Sequence, residues 1–253
     1  MISYKVYPMF KVGPLKFNLY GIMFALGFLV ANFLAVREAV KQGIDKEIVK
    51  NLSLTIFIGA IVGARLFYVL FYWPPHVPFT FWDIFKIWEG GIAFIGGFLG
   101  GVAASYVFIR KRKLEFWRYA DIFTLPLIVG HIFGRVGDYL TGGHPGKVTN
   151  VPWAIYLNNA SRHPVVLYEI VGLIIIAVTI LNLKKVKRFE GLLFLTYVQL
   201  YAIQRMFLDF FRIESTDPRF LGLTPTQYVV IFLFVLAAFL ISRKYSLVKK
   251  RKA

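Results

Sequence analysis

The chain has 253 residues, 58% hydrophobic and 18% aromatic, with only 17% charged and a mean hydropathy of +0.63. A soluble domain carries about a quarter charged residues, so this composition argues against a water-soluble globule and for a polytopic membrane protein. The net charge of +17 comes from short basic clusters between apolar runs, the pattern of membrane loops and not of a nucleic-acid partner, and the absence of cysteine removes disulfides, thiolate nucleophiles and cysteine metal sites from the protein itself.

Seven apolar segments of helical length are expected, at about 17–38, 51–72, 91–110, 117–140, 165–183, 190–211 and 225–242. Each has about the 20 residues that a helix needs to cross the hydrocarbon core. The first begins near Phe17 and is too long for the apolar core of a secretory signal, and no small-residue cleavage site follows it. The second and third contain Gly59 and Gly63, then Gly97 and Gly101, spacings that let helices touch. The fourth starts and ends with polar residues, running from DIFTLPLIVG into HIFGRVGDYLTGGHPGK. With no internal repeat and no flexible linker, one integral membrane domain is expected over 1–253. The fold class is all-α, a seven-helix membrane protein.

Lysine and arginine set the orientation. Of the 30, 19 fall in the loops after the first, third, fifth and seventh segments, including the basic runs Arg110–Lys113 and Lys249–Lys252. Eight fall on the opposite side, and Arg65, Arg135 and Arg205 lie inside segments. The basic side is cytoplasmic, which puts the N-terminus outside and the C-terminus inside.

In that frame the intramembrane polar groups share one depth, near the outer face. Arg65 lies in the outer half of segment two, Arg135 and Asp138 near the outer end of segment four, and Arg205 and Asp209 in the outer half of segment six. Tyr20 opens segment one from outside, and His163, Tyr168 and Glu169 open segment five. One arginine near a helix end is most simply read as snorkelling to the interface. Three at one depth, with carboxylates three or four residues away on the same face, favour a polar cavity. His131 shares the face of Arg135. The loop glycines Gly142, Gly143 and Gly146 fit tight turns or close backbone approach to a ligand.

Six pieces in order carry a family resemblance: LYGIMFALGF at 19–28, GARLFYVLFY at 63–72, WEGGIAFIGGFLG at 88–100, GRVGDYLTGGHPG at 134–146, RHPVVLYE at 162–169 and RMFLDFFR at 205–212. Together they resemble prolipoprotein diacylglyceryl transferases over nearly the full chain. The resemblance implies transfer of the diacylglyceryl group of phosphatidylglycerol, or a related phospholipid, to the lipobox cysteine of a prolipoprotein signal peptide. A thioether forms and glycerol phosphate leaves. It implies a multi-pass cell-membrane enzyme working at the outer face, in contact with membrane lipid and without metal or cofactor. The catalytic set it implies is Arg135, Arg205, Tyr20, His131 and Asp138. Substrate contacts are expected from Arg65, Arg135, Gly142, Gly146, His163, Tyr168, Glu169, Asp209 and Arg212. Arginine suits the task independently, because its planar fork matches phosphate oxygens and fixed cations stabilise charge building on the leaving group.

The chain departs from the family pattern in four places. Ile95 stands where the family often has histidine or tyrosine, the histidine being a proposed base. Asp138 replaces the signature asparagine, Gly143 an acidic residue, and Thr226 a glycine. Three routes to a thiolate stay open: His131 or His144 as base, Asp138 as base, or an arginine field that lowers the thiol pKa without a base. A neutral histidine suits pH 7 better than an aspartate held ionised by arginine, and both histidines also read as ordinary interfacial polar groups. Two other functions remain open: a diverged sibling with another lipid donor or acceptor, and a non-catalytic membrane lipid-binding or transport protein. A transporter would favour broken helices and internal symmetry, and the sequence has neither.

Overall fold

The structure, a computed structural model, describes residues 4–7, 9–12, 15–74, 77–86, 91–213 and 219–250. Trp88, Glu89 and Gly90, which open one of the six family-like pieces, lie outside them. Seven α-helices follow in chain order: α1 Leu19–Lys41, α2 Lys46–Phe71, α3 Phe94–Lys111, α4 Phe116–Thr141, α5 Val165–Lys185, α6 Leu192–Leu208 and α7 Pro225–Lys250. They coincide with the seven apolar segments. Five, namely α1, α2, α4, α5 and α7, are long and apolar enough to cross a membrane by length and composition. The other two are shorter, with 18 residues in α3 and 17 in α6.

The boundaries differ from the apolar reading where caps decide them. Helix α2 starts at Lys46, because the Asp45 side chain accepts from the Glu47 N–H at 2.9 Å and satisfies an orphan donor of the first turn. That polar turn is invisible to an apolar count. Helix α6 stops at Leu208, and the chain tightens into a 3-10 turn over Asp209–Phe211. Helix α7 runs on through the basic residues to Lys250, with no proline or glycine to end it.

Two short antiparallel hairpins add to the all-helical expectation. Strands β1 (Met9–Val12) and β2 (Leu15–Asn18) pair Met9 with Asn18. Strands β3 (Ile155–Leu157) and β4 (Ala160–Arg162) pair Ile155 with Arg162 across Asn158–Asn159. Both asparagines have positive φ, +53° and +57°, as a two-residue type I′ turn requires.

The chain forms two compact units, residues 35–119 and residues 1–34 with 120–253. In the first, α2 lies against α3. A Cβ added at Gly63 would sit 2.4 Å from the Gly96 carbonyl oxygen and 2.7 Å from the Gly100 Cα, so any larger residue would separate the helices. The closest approach is therefore at Gly96 and Gly100, while Gly97 and Gly101, the spacing read from the sequence, also lie against α2, with a Cβ there 3.4 Å from the Ala60 carbonyl oxygen and 3.3 Å from Ile56. In the second unit α1 meets α4, where a Cβ at Gly27 would be 3.0 Å from the Gly130 oxygen. Asp121 of α4 accepts from the N–H groups of Gly191 (2.7 Å) and Phe194 (3.0 Å), capping α6 from a neighbouring helix. Lys187 reaches the same carboxylate at 3.0 Å. Burial lowers the proton affinity of Lys187, and its bonds to Glu190 and Asp121 outweigh that and raise it.

Candidate active site

Helices α4, α5 and α6, with the 3-10 turn that follows α6, bring six buried charged side chains together: Arg135, Asp138, Glu169, Arg205, Asp209 and Arg212. The two pairs legible from spacing both form. Arg135 Nη1 donates to Asp138 Oδ2 at 2.5 Å, and Arg205 Nη2 lies 2.9 Å from Asp209 Oδ1. Three and four residues of helix bring each pair onto one face.

Glu169 joins the pairs. Its carboxylate lies 3.2 Å from Arg135 Nε, 3.6 Å from Arg205 Nη1 and 4.0 Å from Arg212 Nη2, and the residue is 1% exposed. Three guanidiniums thus surround one carboxylate, with Asp138 and Asp209 on the flanks. Buried charges persist only with such compensation, and here three cations face three anions. Gln204 fixes the hub by donating to the Glu169 backbone carbonyl at 2.9 Å.

His131 Nε2 accepts from Arg135 Nε at 3.3 Å, and its ring meets Tyr201 edge-on at 5.3 Å. The nitrogen lone pair that a base would use is therefore directed at Arg135. Tyr201 escaped the sequence reading, although it lies four residues before Arg205 on the same face, and that spacing was the available signal. Asp209 is held from α7. Thr224 Oγ1 donates to Asp209 Oδ2 at 2.9 Å, while Thr224 and Gln227 form a reciprocal cap, Thr224 N to Gln227 Oε1 at 2.9 Å and Gln227 N to Thr224 Oγ1 at 3.1 Å. The stretch TPTQ carries that capping-box signature in plain view.

The loop after α4 closes over these groups. Gly146 bridges Arg212, Lys147 N donates to Phe211 O at 2.8 Å, and His163 N donates to Lys147 O at 3.0 Å. A Cβ at Gly146 would meet the His163 carbonyl oxygen at 2.3 Å, so this is a site of close backbone approach. Gly142 has φ +71° and turns the chain out of α4. His144 Nε2 stands 3.9 Å from Asp138 Oδ1, with 41% of its side chain exposed. Partial burial and then the cations Arg212, Arg135 and Arg205 lower its pKa from the usual histidine value. His163 Nδ1 lies 3.2 Å from the Tyr168 hydroxyl, which accepts from Trp153 Nε1 at 2.6 Å. Burial lowers the His163 pKa as well. Tyr20 packs on Gly137, where a Cβ would be 3.3 Å from its ring.

Arg65 and Ile95 belong to the other unit. Arg65 is 4% exposed and donates to three backbone carbonyls, Ile84 at 3.3 Å, Gly91 at 2.9 Å and Asp83 at 2.6 Å. Ile95 is 2% exposed. Among the described residues no cluster of three or more histidines or carboxylates is placed to hold a metal ion.

A buried set of guanidiniums, each with a carboxylate to orient it, is suited to gripping an oxyanion. A family model described as prolipoprotein diacylglyceryl transferase matches residues 8–243. Three relatives described as phosphatidylglycerol–prolipoprotein diacylglyceryl transferase show the extent of the likeness. One from Oceanobacillus iheyensis is 32% identical, covering 95% of this chain and 88% of its own. One from Campylobacter lari is 34% identical over 91% of this chain and 90% of its own. One from Aliarcobacter butzleri is 35% identical over 93% of each.

Proposed function

This chain belongs to the prolipoprotein diacylglyceryl transferase family, and we propose that it moves the diacylglyceryl group of phosphatidylglycerol onto the lipobox cysteine of a prolipoprotein. The observation that carries this reading is the Glu169-centred cluster, in which Arg135, Arg205 and Arg212 lie within 4.0 Å of one buried carboxylate. Arg135 and Arg205 hold the lipid phosphate. Asp138 and Asp209 orient them, and Tyr20, Gly142, Gly146, His163 and Tyr168 shape the surrounding site.

In the reaction the cysteine sulfur attacks the lipid carbon bearing the phosphate ester. A sulfur–carbon bond forms, the carbon–oxygen bond breaks, and glycerol phosphate leaves with both electrons of that bond. Negative charge grows on the phosphate, where the arginines stabilise it. Two routes for the thiol proton remain, a histidine of this chain or loss to water from a thiol acidified by the arginine field. His144 suits the first better than His131, since Arg135 already occupies the His131 acceptor nitrogen at 3.3 Å.

All seven helices span the membrane in this reading, with the N-terminus outside, the C-terminus in the cytoplasm and the site toward the outer face, as the 19-to-8 split of basic residues supports. The chain has no native cysteine, so single cysteines report topology cleanly. An impermeant thiol reagent on sealed cells labels Asn158→Cys and spares Lys185→Cys; the reverse pattern overturns the orientation. The function itself is tested by mass analysis of a tagged prolipoprotein made with and without this protein. A gain of one diacylglyceryl group on the cysteine is expected. An unmodified precursor, or another adduct, rejects the assignment.

A further inference from the structure

We propose that residues 77–86, between α2 and α3, form a membrane-interface anchor whose aromatic face lies in the headgroup–acyl boundary of the bilayer. The segment is rigid on one side and apolar on the other. Its inner side is built from polar contacts: Arg65 of α2 binds the carbonyls of Asp83 and Ile84 at 2.6 and 3.3 Å. The Asp83 carboxylate accepts from Thr80 N, Thr80 Oγ1 and Lys86 Nζ, each at 2.7 Å. A 3-10 turn over Phe81–Ile84 results, with Asp83 8% exposed.

Its other side carries Phe81, Trp82 and Phe85 at 65%, 70% and 55% exposure. Their rings lie 5.7–6.1 Å apart, so they make one patch. Contiguous apolar surface of this kind marks an interaction site. Lipid fits it best on three grounds. The segment joins the end of α2, a helix apolar enough to cross a membrane, and Leu70 and Phe71 at that end are 73% and 49% exposed. Tryptophan and other aromatics favour the membrane–water boundary. Arg65 already occupies the Asp83 and Ile84 carbonyls, so that part of the turn has no free carbonyl for a peptide strand to pair with.

Collision accessibility of a spin label tests this without reference to catalysis. Phe81→Cys and Trp82→Cys, each labelled with a nitroxide in lipid nanodiscs, are compared with Leu70→Cys as a lipid-facing reference and Asn158→Cys as an exposed loop reference. The ratio of oxygen to nickel-chelate collisions at 81 and 82 should fall between the references and report a depth of about 5–10 Å. A ratio equal to that of Asn158 places the face in water and overturns the anchor. Low access to both reagents means that protein, such as a second copy or a bound peptide, covers the face, and also overturns it. Failure of both variants to fold does the same, since a lipid-facing aromatic tolerates substitution.

Discussion

Replacing Glu169 by glutamine keeps the size of the side chain and removes the one carboxylate common to Arg135, Arg205 and Arg212. Three guanidiniums would then face only Asp138 and Asp209, and the buried group would carry a net positive charge. Unit charges 3.2–4.0 Å apart interact by roughly 4–5 kcal/mol per pair at an effective dielectric of about 20. Desolvation offsets much of this, and breaking a buried pair from one side costs about 3–5 kcal/mol in total. The contacts of Glu169 are ion pairs, and neither carboxylate oxygen makes a well-aligned hydrogen bond to a described residue. The lower bound, about 3 kcal/mol, is therefore the expectation. At roughly 2–4 °C per kcal/mol for a chain of this size, the unfolding midpoint should fall by about 6–12 °C. Intrinsic tryptophan fluorescence in nanodiscs reads it, with Glu169→Asp as the charge-retaining control expected in between. An unchanged midpoint in Glu169→Gln, with the transfer rate intact, would refute the hub.

Arg135→Lys and Arg205→Lys should fold and lose roughly 100-fold in transfer rate, because a point charge does not reproduce a bidentate fork; full activity in either variant removes that residue from the phosphate site. Gly146→Ala places a Cβ 2.3 Å from the His163 carbonyl oxygen and should destabilise by about 1–3 kcal/mol. Its transfer rate should fall as well, since Gly146 bridges Arg212, and a variant unchanged in both measurements contradicts the packing described. The Asp83 carboxyl is held down to about 2 from its ordinary 3.8 by the Lys86 hydrogen bond first and then by Thr80. A depressed value means that its stabilisation is fully present above pH 3.8 and is lost as pH falls toward about 2. A nitroxide at position 81 should loosen in that window, and Asp83→Asn should be loose at every pH; constant mobility in the wild type across the window contradicts the capping role.

Helical segments and local charge pairs were legible in the sequence because both are written at helical spacing. Val165–Lys185 begins where the apolar reading puts it, and Arg135 with Asp138 or Arg205 with Asp209 need only three or four residues of α-helix to meet. What stayed hidden depends on chain separation. Glu169 reaches Arg135 across 34 residues and Arg212 across 43, and no periodicity reports that. Its place at the start of segment five put it at the shared outer depth, and motif likeness made it a substrate contact, but neither marks it as the hub. Arg65 likewise reads as an intramembrane charge, while its partners are backbone carbonyls whose positions no side-chain pattern encodes. The β3–β4 hairpin has a local signal of its own, Asn158–Asn159 between Ile155–Leu157 and Ala160–Arg162, in the connection between the fourth and fifth apolar segments, to which apolar periodicity assigns no element. Gly97 and Gly101 do lie against α2, at Ala60, Ala64 and Ile56, but the tightest approach is one residue earlier, at Gly96 and Gly100, a distinction that glycine spacing leaves undetermined because both pairs are four apart.

The central claim is that the arginine cluster holds a phosphate that leaves as a monoester while the diacylglyceryl group stays on sulfur. Phosphorus NMR of nanodiscs containing the protein, phosphatidylglycerol and a lipobox peptide tests it directly. The phosphodiester signal should decay and a water-soluble phosphomonoester signal rise in step with thioether-linked peptide, and Arg135→Lys and Arg205→Lys should slow all three together. Phosphorus that stays with the lipid, or appears on the peptide, would contradict it.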